Sequence, residues 1–262
     1  MKEVCRSLRR DILNIAKTSG HGHIPSCFSV VEILCAVYAT IRHDPKNPSW
    51  EGRDIFILSK GHASLAHYCM LARLGYFELR RVESFGGFGT DFGCHADRLK
   101  VPGVEVSTGS LGHGIGMAVG MALAFKIRRS NRRVYVLIGD GEANEGSVWE
   151  ALMVAHNLKC GNLTVIYDNN MSHGRGLQIM NPAQKLEAFG CRVVEVDGHD
   201  VAQLKKALAR PPASEGPLAI VAQTKKGYGC RTMICDPYAW HRRCPTDEEF
   251  TRLMEELDEE AI

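Results

Sequence analysis

Val134–Asn170 reads VYVLIGDGEANEGSVWEALMVAHNLKCGNLTVIYDNN, a strand, a tight loop, a helix and a second strand in succession. Val134–Ile138 is an unbroken apolar run rich in β-branched residues, the pattern of a strand buried on both faces of a parallel sheet. Gly139-Asp140-Gly141 follows at once; its glycines allow a sharp turn close to a ligand, and Asp140 projects a carboxylate from the strand end. Ser147–Lys159 predicts a helix, and Leu163–Tyr167 a second buried strand that runs into Asp168-Asn169-Asn170. Parallel strands end on one side of their sheet. Asp140 and Asn170, 170 − 140 = 30 positions apart, therefore meet at the carboxyl edge, where open α/β sheets bind ligands. The expected fold is α/β, a doubly wound, mostly parallel sheet with helices on both faces.

A carboxylate beside a neutral amide oxygen is a hard-oxygen pair suited to Mg²⁺, with Ca²⁺ or Mn²⁺ as alternatives. The turn into the helix also offers backbone N–H groups and the positive end of a helix dipole to an anion. Together these describe a site for a metal-bound diphosphate. The plain alternative is a strand-end turn with a solvated aspartate and an Asx turn. Gly-Asp-Gly alone does not decide between them; the Asn-Asn at the matching end of the next strand favours the metal.

The 262 residues are read as one domain, 1–262, with a C-terminal helix at about 246–262. Thirty-two Lys and Arg face thirty Asp and Glu, so the balance gives no sign of a nucleic-acid partner. The arginine pairs Arg9-Arg10, Arg80-Arg81, Arg128-Arg129 and Arg132-Arg133 are read as solvated helix ends and turns. Ten cysteines with no CxxC pair and no secretory signal point to reduced thiols in a cytoplasm. No apolar run approaches the roughly 18 residues that a membrane span needs.

Elsewhere the periodicity predicts helices over 4–17, from a Ser29–Glu32 capping box to Ile41, and over Ala63–Leu74 with Gly75 as the stop. The glycines and Pro25 of Ser19–Ser26 make that stretch a loop. Gly114–Arg129 is a helix with a small-residue face (Gly116, Gly120, Ala124), which implies close packing against another element. Ile55–Leu58, Arg192–Val196 and Leu218–Ala222 are strands, and Gln184–Phe189 and Val201–Leu208 helices. His62 follows the first of these strands and so lies on the same sheet edge as Asp140; His67, one turn into the next helix, is read as packing. Residues 76–113 and 224–245 are long loops, a length that usually marks function inside a compact domain. Thr246–Glu249 forms a capping box for an acidic last helix.

The GDG-E…NN pattern resembles the thiamine-diphosphate motif, and GDGEANEGSVWEA resembles transketolase in particular. The likeness extends over residues 15–250 through SKGHAS, TGSLGHG, TKKGYG and the later Trp240-His241, in the family's order. It implies that Asp140, Asn170 and the carbonyl of Ser172 hold the metal. It implies that His62, Gly109, Ser110, Leu111, Gly112, Gly139, Asp140, Gly141, Glu142, Asn170 and His241 contact thiamine diphosphate. His23, with His21 as the alternative, His62, His95 and His241 would carry proton transfers and hydroxyl contacts. Glu145 and Glu150, solvated on a plain reading, match family glutamates at the dimer interface. His113 stands where the family usually has Gln. Met171–Gly176 departs from the family pattern; its His173 and Arg175 are read as reshaping the loop, with contact to an anionic substrate as the alternative.

Transketolases continue into a pyrimidine-binding domain whose glutamate activates the cofactor, and this sequence has no counterpart to it. The resemblance therefore implies the N-terminal subunit of a split transketolase, completed by a C-terminal subunit in an α₂β₂ assembly, acting on sugars or sugar derivatives. Another thiamine-diphosphate enzyme, such as the first component of a 2-oxoacid dehydrogenase, fits the histidine set less well. A non-catalytic cofactor-binding subunit is the second alternative.

Overall fold

The computed structural model of the chain describes residues 1–213 and 215–259. In chain order, α1 (Lys2–Ser19), α2 (Ile24–Phe28) and α3 (Val31–Tyr38) lead to β1 (Ile55–Leu58) and α4 (Ser64–Leu74). A long segment then reaches α5 (Gly114–Ile127), β2 (Val134–Gly139), α6 (Gly146–Asn157) and β3 (Leu163–Asn169). α7 (Pro182–Ala188), β4 (Arg192–Asp197), α8 (Val201–Leu208) and β5 (Leu218–Gln223) follow, then α9 (Arg231–Cys235) and α10 (Asp247–Asp258). Among the described residues the strands form one sheet in the order β1-β2-β3-β5-β4, and each pairing is parallel.

The apolar runs are continuous because both faces of the sheet are covered. Phe56, Leu58, Tyr135, Leu137, Ile166 and Ile220 pack with α1, α3, α4 and α8 on one face. Ile55, Ile57, Val134, Val136, Ile138, Val165 and Ala219 pack with α5, α6 and α7 on the other. Leu137 and Ile138 are neighbours in sequence, are both fully buried, and serve opposite cores. Each such burial is worth about 2 kcal/mol. Parallel pairing places the ends of β1, β2, β3 and β5 along one edge, and the functional side chains issue from those ends.

Local chemistry departs from the sequence expectation in several places. Pro25 lies in the first turn of α2 instead of holding a loop, because proline is at home in the first turn of a helix. Ser29 caps no helix: α3 starts after Val30, and the Ser29 hydroxyl donates to Asp168 Oδ2 at 2.8 Å. α3 stops at Tyr38, short of Ile41, and the short helix α9 interrupts the expected 224–245 loop. Gly75 ends α4 at φ 89°, and the Thr246–Glu249 capping box opens α10. α10 runs to Asp258, and residues 260–262 of the expected terminal helix lie outside the described residues.

Arg9 is a further correction. It is buried at 4% exposure, its guanidinium forks onto Glu32 at 2.7 Å on each arm, and it donates to the Phe28 carbonyl at 3.1 Å. Burial works to raise the Glu32 carboxyl, but Arg9 and His199 outweigh it and hold the group down at about 2. All ten cysteines are free thiols. Among the described residues no helix is long and apolar enough to cross a membrane. Gly116 and Gly120 face outward from α5, where an added Cβ would meet nothing within 4 Å. The packing partner expected for this small-residue face is thus not found among the described residues.

Candidate active site

A cavity of about 340 Å³ opens at the carboxyl edge of the sheet. Its lining comes from four sources: Lys60 and His62 after β1, Gly139–Glu142 at and just past the end of β2, Asn170 and Ser172 after β3, and the loops that carry His23, His95, Gly109, Leu111 and His241. A larger cleft of about 680 Å³ lies between α1, α8 and α10. It is lined by the Arg9–Glu32–His199 network with Tyr228 stacked on His199, in which Glu32 is paired with both Arg9 and His199. Chemistry, not volume, selects the smaller cavity.

Asp140 and Asn170 meet there as the strand ends require. Asp140 Oδ2 and Asn170 Oδ1 both accept from the Ser172 amide, at 2.7 and 3.0 Å. Two hard oxygens from neighbouring strands thus converge on one point. Asp140 is 1% exposed, and burial, with the nearby Asp168 adding to it, raises its carboxyl above the ordinary range. His173 Nδ1 lies 3.0 Å from Asp140 Oδ2, yet at an angle that leaves the nitrogen buried without a hydrogen bond. These two oxygens fit a divalent cation, and Asp140 and Asn170 are the groups that would hold it.

Two carboxylates build the frame around this pair. Glu142 Oε1 accepts from Ser59 Oγ at 2.5 Å and from the Gly112 amide at 2.9 Å, while Oε2 accepts from the Gly139 amide at 3.1 Å. Glu142 thereby ties the ends of β1 and β2 to the Gly109–Gly112 turn. Burial pushes its carboxyl up, against the hydroxyl and amides that favour the charged form. Asp168, with 0% exposure, accepts from Lys60 Nζ at 2.5 Å, from Ser29 Oγ at 2.8 Å, from Asn170 Nδ2 at 3.0 Å and from Thr224 Oγ1. Because Asn170 donates its amide nitrogen to Asp168, its oxygen is left facing Asp140.

The amides of Gly139 and Gly141 are engaged by Glu142 and Asp140 themselves. Positive charge at the cavity therefore comes chiefly from side chains. Lys60 lines it, and Lys226 lies behind Ser172 and His241, donating to Ser172 Oγ at 2.7 Å.

Three histidine rings cluster at the mouth, with His23 5.2 Å from His62 and 5.4 Å from His241. His23 is placed by Gly22, whose φ of 133° lets the chain turn from α1 into α2. His21 stays exposed outside the cavity. His95 borders Gly109, where an added Cβ would come within 3.1 Å of the ring. Gly61 allows the His62 turn to lie against Thr108 and Gly109, since a Cβ there would meet backbone at 2.8 Å. Burial is the first cause that lowers each ring: His23 to about 4, helped by His241 and His95, and His62, His95 and His241 in the same direction. These are neutral imidazoles at pH 7, able to give or take a hydrogen bond without bearing charge.

Of the site residues named from sequence, Ser110 and Gly112 do not line the cavity; Ser110 is exposed, and the Gly112 amide serves Glu142. His67 packs, its Nε2 2.6 Å from Tyr38 Oη. His113, Glu145 and Glu150 are exposed away from the cavity lining. Arg175 is exposed over the Tyr238 ring at 4.2 Å. Sequence reasoning missed Lys60, Asp168, Thr224 and Lys226. A signal existed for two of them, in lysines just past strand ends in SKGH and TKKGYG.

Comparison with known proteins agrees with this fold. The profile of the family described as transketolase, thiamine diphosphate binding domain, matches residues 1–238. One of the subunits of an apulose-4-phosphate transketolase from Actinobacillus succinogenes is 36% identical over 99% of this chain and 96% of that protein. A 6-deoxy-6-sulfo-D-fructose transketolase subunit from Clostridium sp. is 36% identical over 92% of this chain and 90% of that protein. The crystal structure of Campylobacter jejuni transketolase superposes with a TM-score of 0.90 at 29% identity, over 98% of this chain but 42% of that longer one. The chain belongs to the transketolase family and carries its thiamine diphosphate binding domain.

Proposed function

We propose that this chain is the N-terminal subunit of a split transketolase that moves a two-carbon ketol unit from a ketose to an aldose. One observation carries the reading: the paired oxygens of Asp140 and Asn170 and the rings of His23, His62, His95 and His241 share one cavity at the strand edge. In this reading Asp140, Asn170 and the Ser172 carbonyl hold Mg²⁺, and the cavity floor from Gly139 to Glu142 receives thiamine diphosphate. When bound, the cofactor supplies the electron sink that lets a ketose be cleaved beside its carbonyl. The chain's own work is to orient the sugar and move protons at its hydroxyls, a task suited to neutral histidines grouped at the mouth.

The need for a partner is supported from inside the cavity. Asp140, Glu142 and Asp168 all have engaged oxygens, so the carboxylic acid that activates the cofactor would come from a second subunit carrying the pyrimidine-binding domain. The relatives are themselves named as subunits, which supports the same arrangement, and an α₂β₂ assembly in the cytoplasm is its natural form. Those relatives are named for a phosphorylated and a sulfonated sugar, so an anionic ketose is the expected donor.

The test is a ketol-transfer assay on this chain alone and mixed with the protein of the neighbouring gene. Thiamine diphosphate and Mg²⁺ are supplied with neutral, phosphorylated and sulfonated ketoses. Activity in the mixture only is expected. Transfer by the chain alone refutes the partner requirement, and silence in both with cofactor bound refutes the catalytic reading.

A further inference from the structure

Lys226 joins the two halves of the cavity. It is 4% exposed, and its Nζ lies 2.7 Å from Ser172 Oγ on the metal-binding side and 2.7 Å from His241 Nδ1 on the histidine side. Burial pushes the Lys226 amine down to about 8, which still leaves it mainly an ammonium group at pH 7, with three N–H donors and no acceptor. His241 Nδ1 must therefore accept, and the single proton of the neutral ring resides on Nε2. His241 lines the cavity and packs edge-on against His23, with ring centres 5.4 Å apart.

We infer that Lys226 is a positioning residue that fixes His241 as the Nε2–H tautomer, so that His241 offers the cavity a hydrogen-bond donor matched to an oxygen acceptor. The consequence for catalysis rests on the proposed ketol transfer; the tautomer itself does not. Two further features hold the arrangement. The segment bearing His241 is anchored by buried Trp240, over whose ring Arg243 lies at 3.6 Å while forking onto Glu249. Burial, then Lys226, Lys60 and Arg242, also lower the ring's proton affinity, which keeps His241 in the neutral form where the tautomer matters.

Histidine labelled with nitrogen-15 in the full chain reads the tautomer directly, with His241 assigned by its loss in His241→Gln. A single Nε2–H form is expected at neutral pH. Lys226→Met should let an Nδ1–H population appear, and Lys226→Arg, whose guanidinium also only donates, should keep Nε2–H. An Nδ1–H ring in the unaltered chain overturns the inference, as does an unchanged tautomer in Lys226→Met. In the complex with its partner, Lys226→Met should lower kcat/KM for the ketose about tenfold, the worth of one hydrogen bond, and Lys226→Arg should recover most of it. A loss in the ketose terms alone identifies a sugar oxygen as the acceptor, and a loss confined to thiamine diphosphate affinity identifies a cofactor oxygen. No loss in either refutes the donor role. The spectra need neither sugar nor cofactor, so a failure of the ketol-transfer reading and a failure of this inference are distinguishable.

Discussion

Asp168→Asn removes one charge from the centre of the site and leaves the shape almost unchanged. The carboxylate it replaces is fully buried and is the counter-ion of Lys60, itself 1% exposed. After the substitution the buried Lys60 ammonium loses its ion-pair partner and keeps only the longer-range attraction of Asp140 and Glu142. Removing one member of a buried pair costs about 3–5 kcal/mol. For a chain of this length each kcal/mol moves Tm by about 2–4 °C, so the melting point should fall roughly 6–20 °C. Lys60→Met leaves the opposite orphan, but Ser29, Thr224 and Asn170 still donate to the carboxylate, and the loss should lie toward the lower end. The double variant Lys60→Met/Asp168→Asn holds no buried charge at this point and should be more stable than Asp168→Asn alone. Urea and thermal unfolding of the four proteins at pH 7, without metal or cofactor, complete the cycle. Additive losses, or a double variant no more stable than Asp168→Asn, would refute the argument that charge pairing holds these strand ends together.

The site and the core give further expectations. Asp140→Ala should abolish metal-dependent binding of thiamine diphosphate by the assembled complex, measured by calorimetry; unchanged affinity would remove Asp140 from the metal site. His95→Ala should reduce turnover far more than cofactor affinity, and equal losses would mark His95 as structural. Burial holds His67 down at about 3 and, with His241 and His95, His23 at about 4, below their ordinary 6.5. The unfolded chain protonates these rings below pH 6.5 while the folded chain resists, so stability is full above pH 6.5 and is lost as the pH falls toward the folded values. His67 alone accounts for roughly 4–5 kcal/mol of that loss. The urea midpoint should drop between pH 6.5 and pH 4, and less steeply in His67→Phe; a flat midpoint over that range, or an identical slope in the variant, would contradict it.

The sheet was legible because its signal is dense. Val134–Ile138 and Leu163–Tyr167 have no polar residue but Thr164, and a strand covered on both faces has no other way to be written. Asp140 and Asn170 were legible through the same logic, since the parallel register that pairs Gly139 with Asp168 brings their successors together. What could not be read was anything fixed by contacts far apart in sequence. Ser29 satisfies every local rule for a helix cap, yet its hydroxyl serves Asp168, 139 positions away. Arg9 belongs to an arginine pair that reads as solvent-facing, and only the approach of α3 makes it a core residue. Lys60 and Lys226 look like ordinary surface lysines until four strand ends close around them. Ser110 and Gly112 lie outside the cavity lining, and the Gly112 amide serves Glu142, 30 positions away, a contact that no local motif announces.

The balance of charge at the strand edge explains why so many ionisable groups are tolerated in one buried place. Asp140, Glu142 and Asp168 contribute three negative charges in their ionised forms, and Lys60 and Lys226 two positive ones, so the protein alone is left with −3 + 2 = −1. Glu142 is balanced by three donors and Asp168 by Lys60 and its neighbours. The residual charge falls on Asp140, whose carboxyl burial and Asp168 drive upward. A divalent cation at Asp140 would turn −1 into +1, relieve the aspartate, and leave a site that attracts an anion. The histidines stay neutral and add nothing to this sum. The carboxylates and lysines therefore set the electrostatics of the cavity, and the neutral imidazoles leave that balance undisturbed, as a metal-diphosphate site of the proposed kind would need.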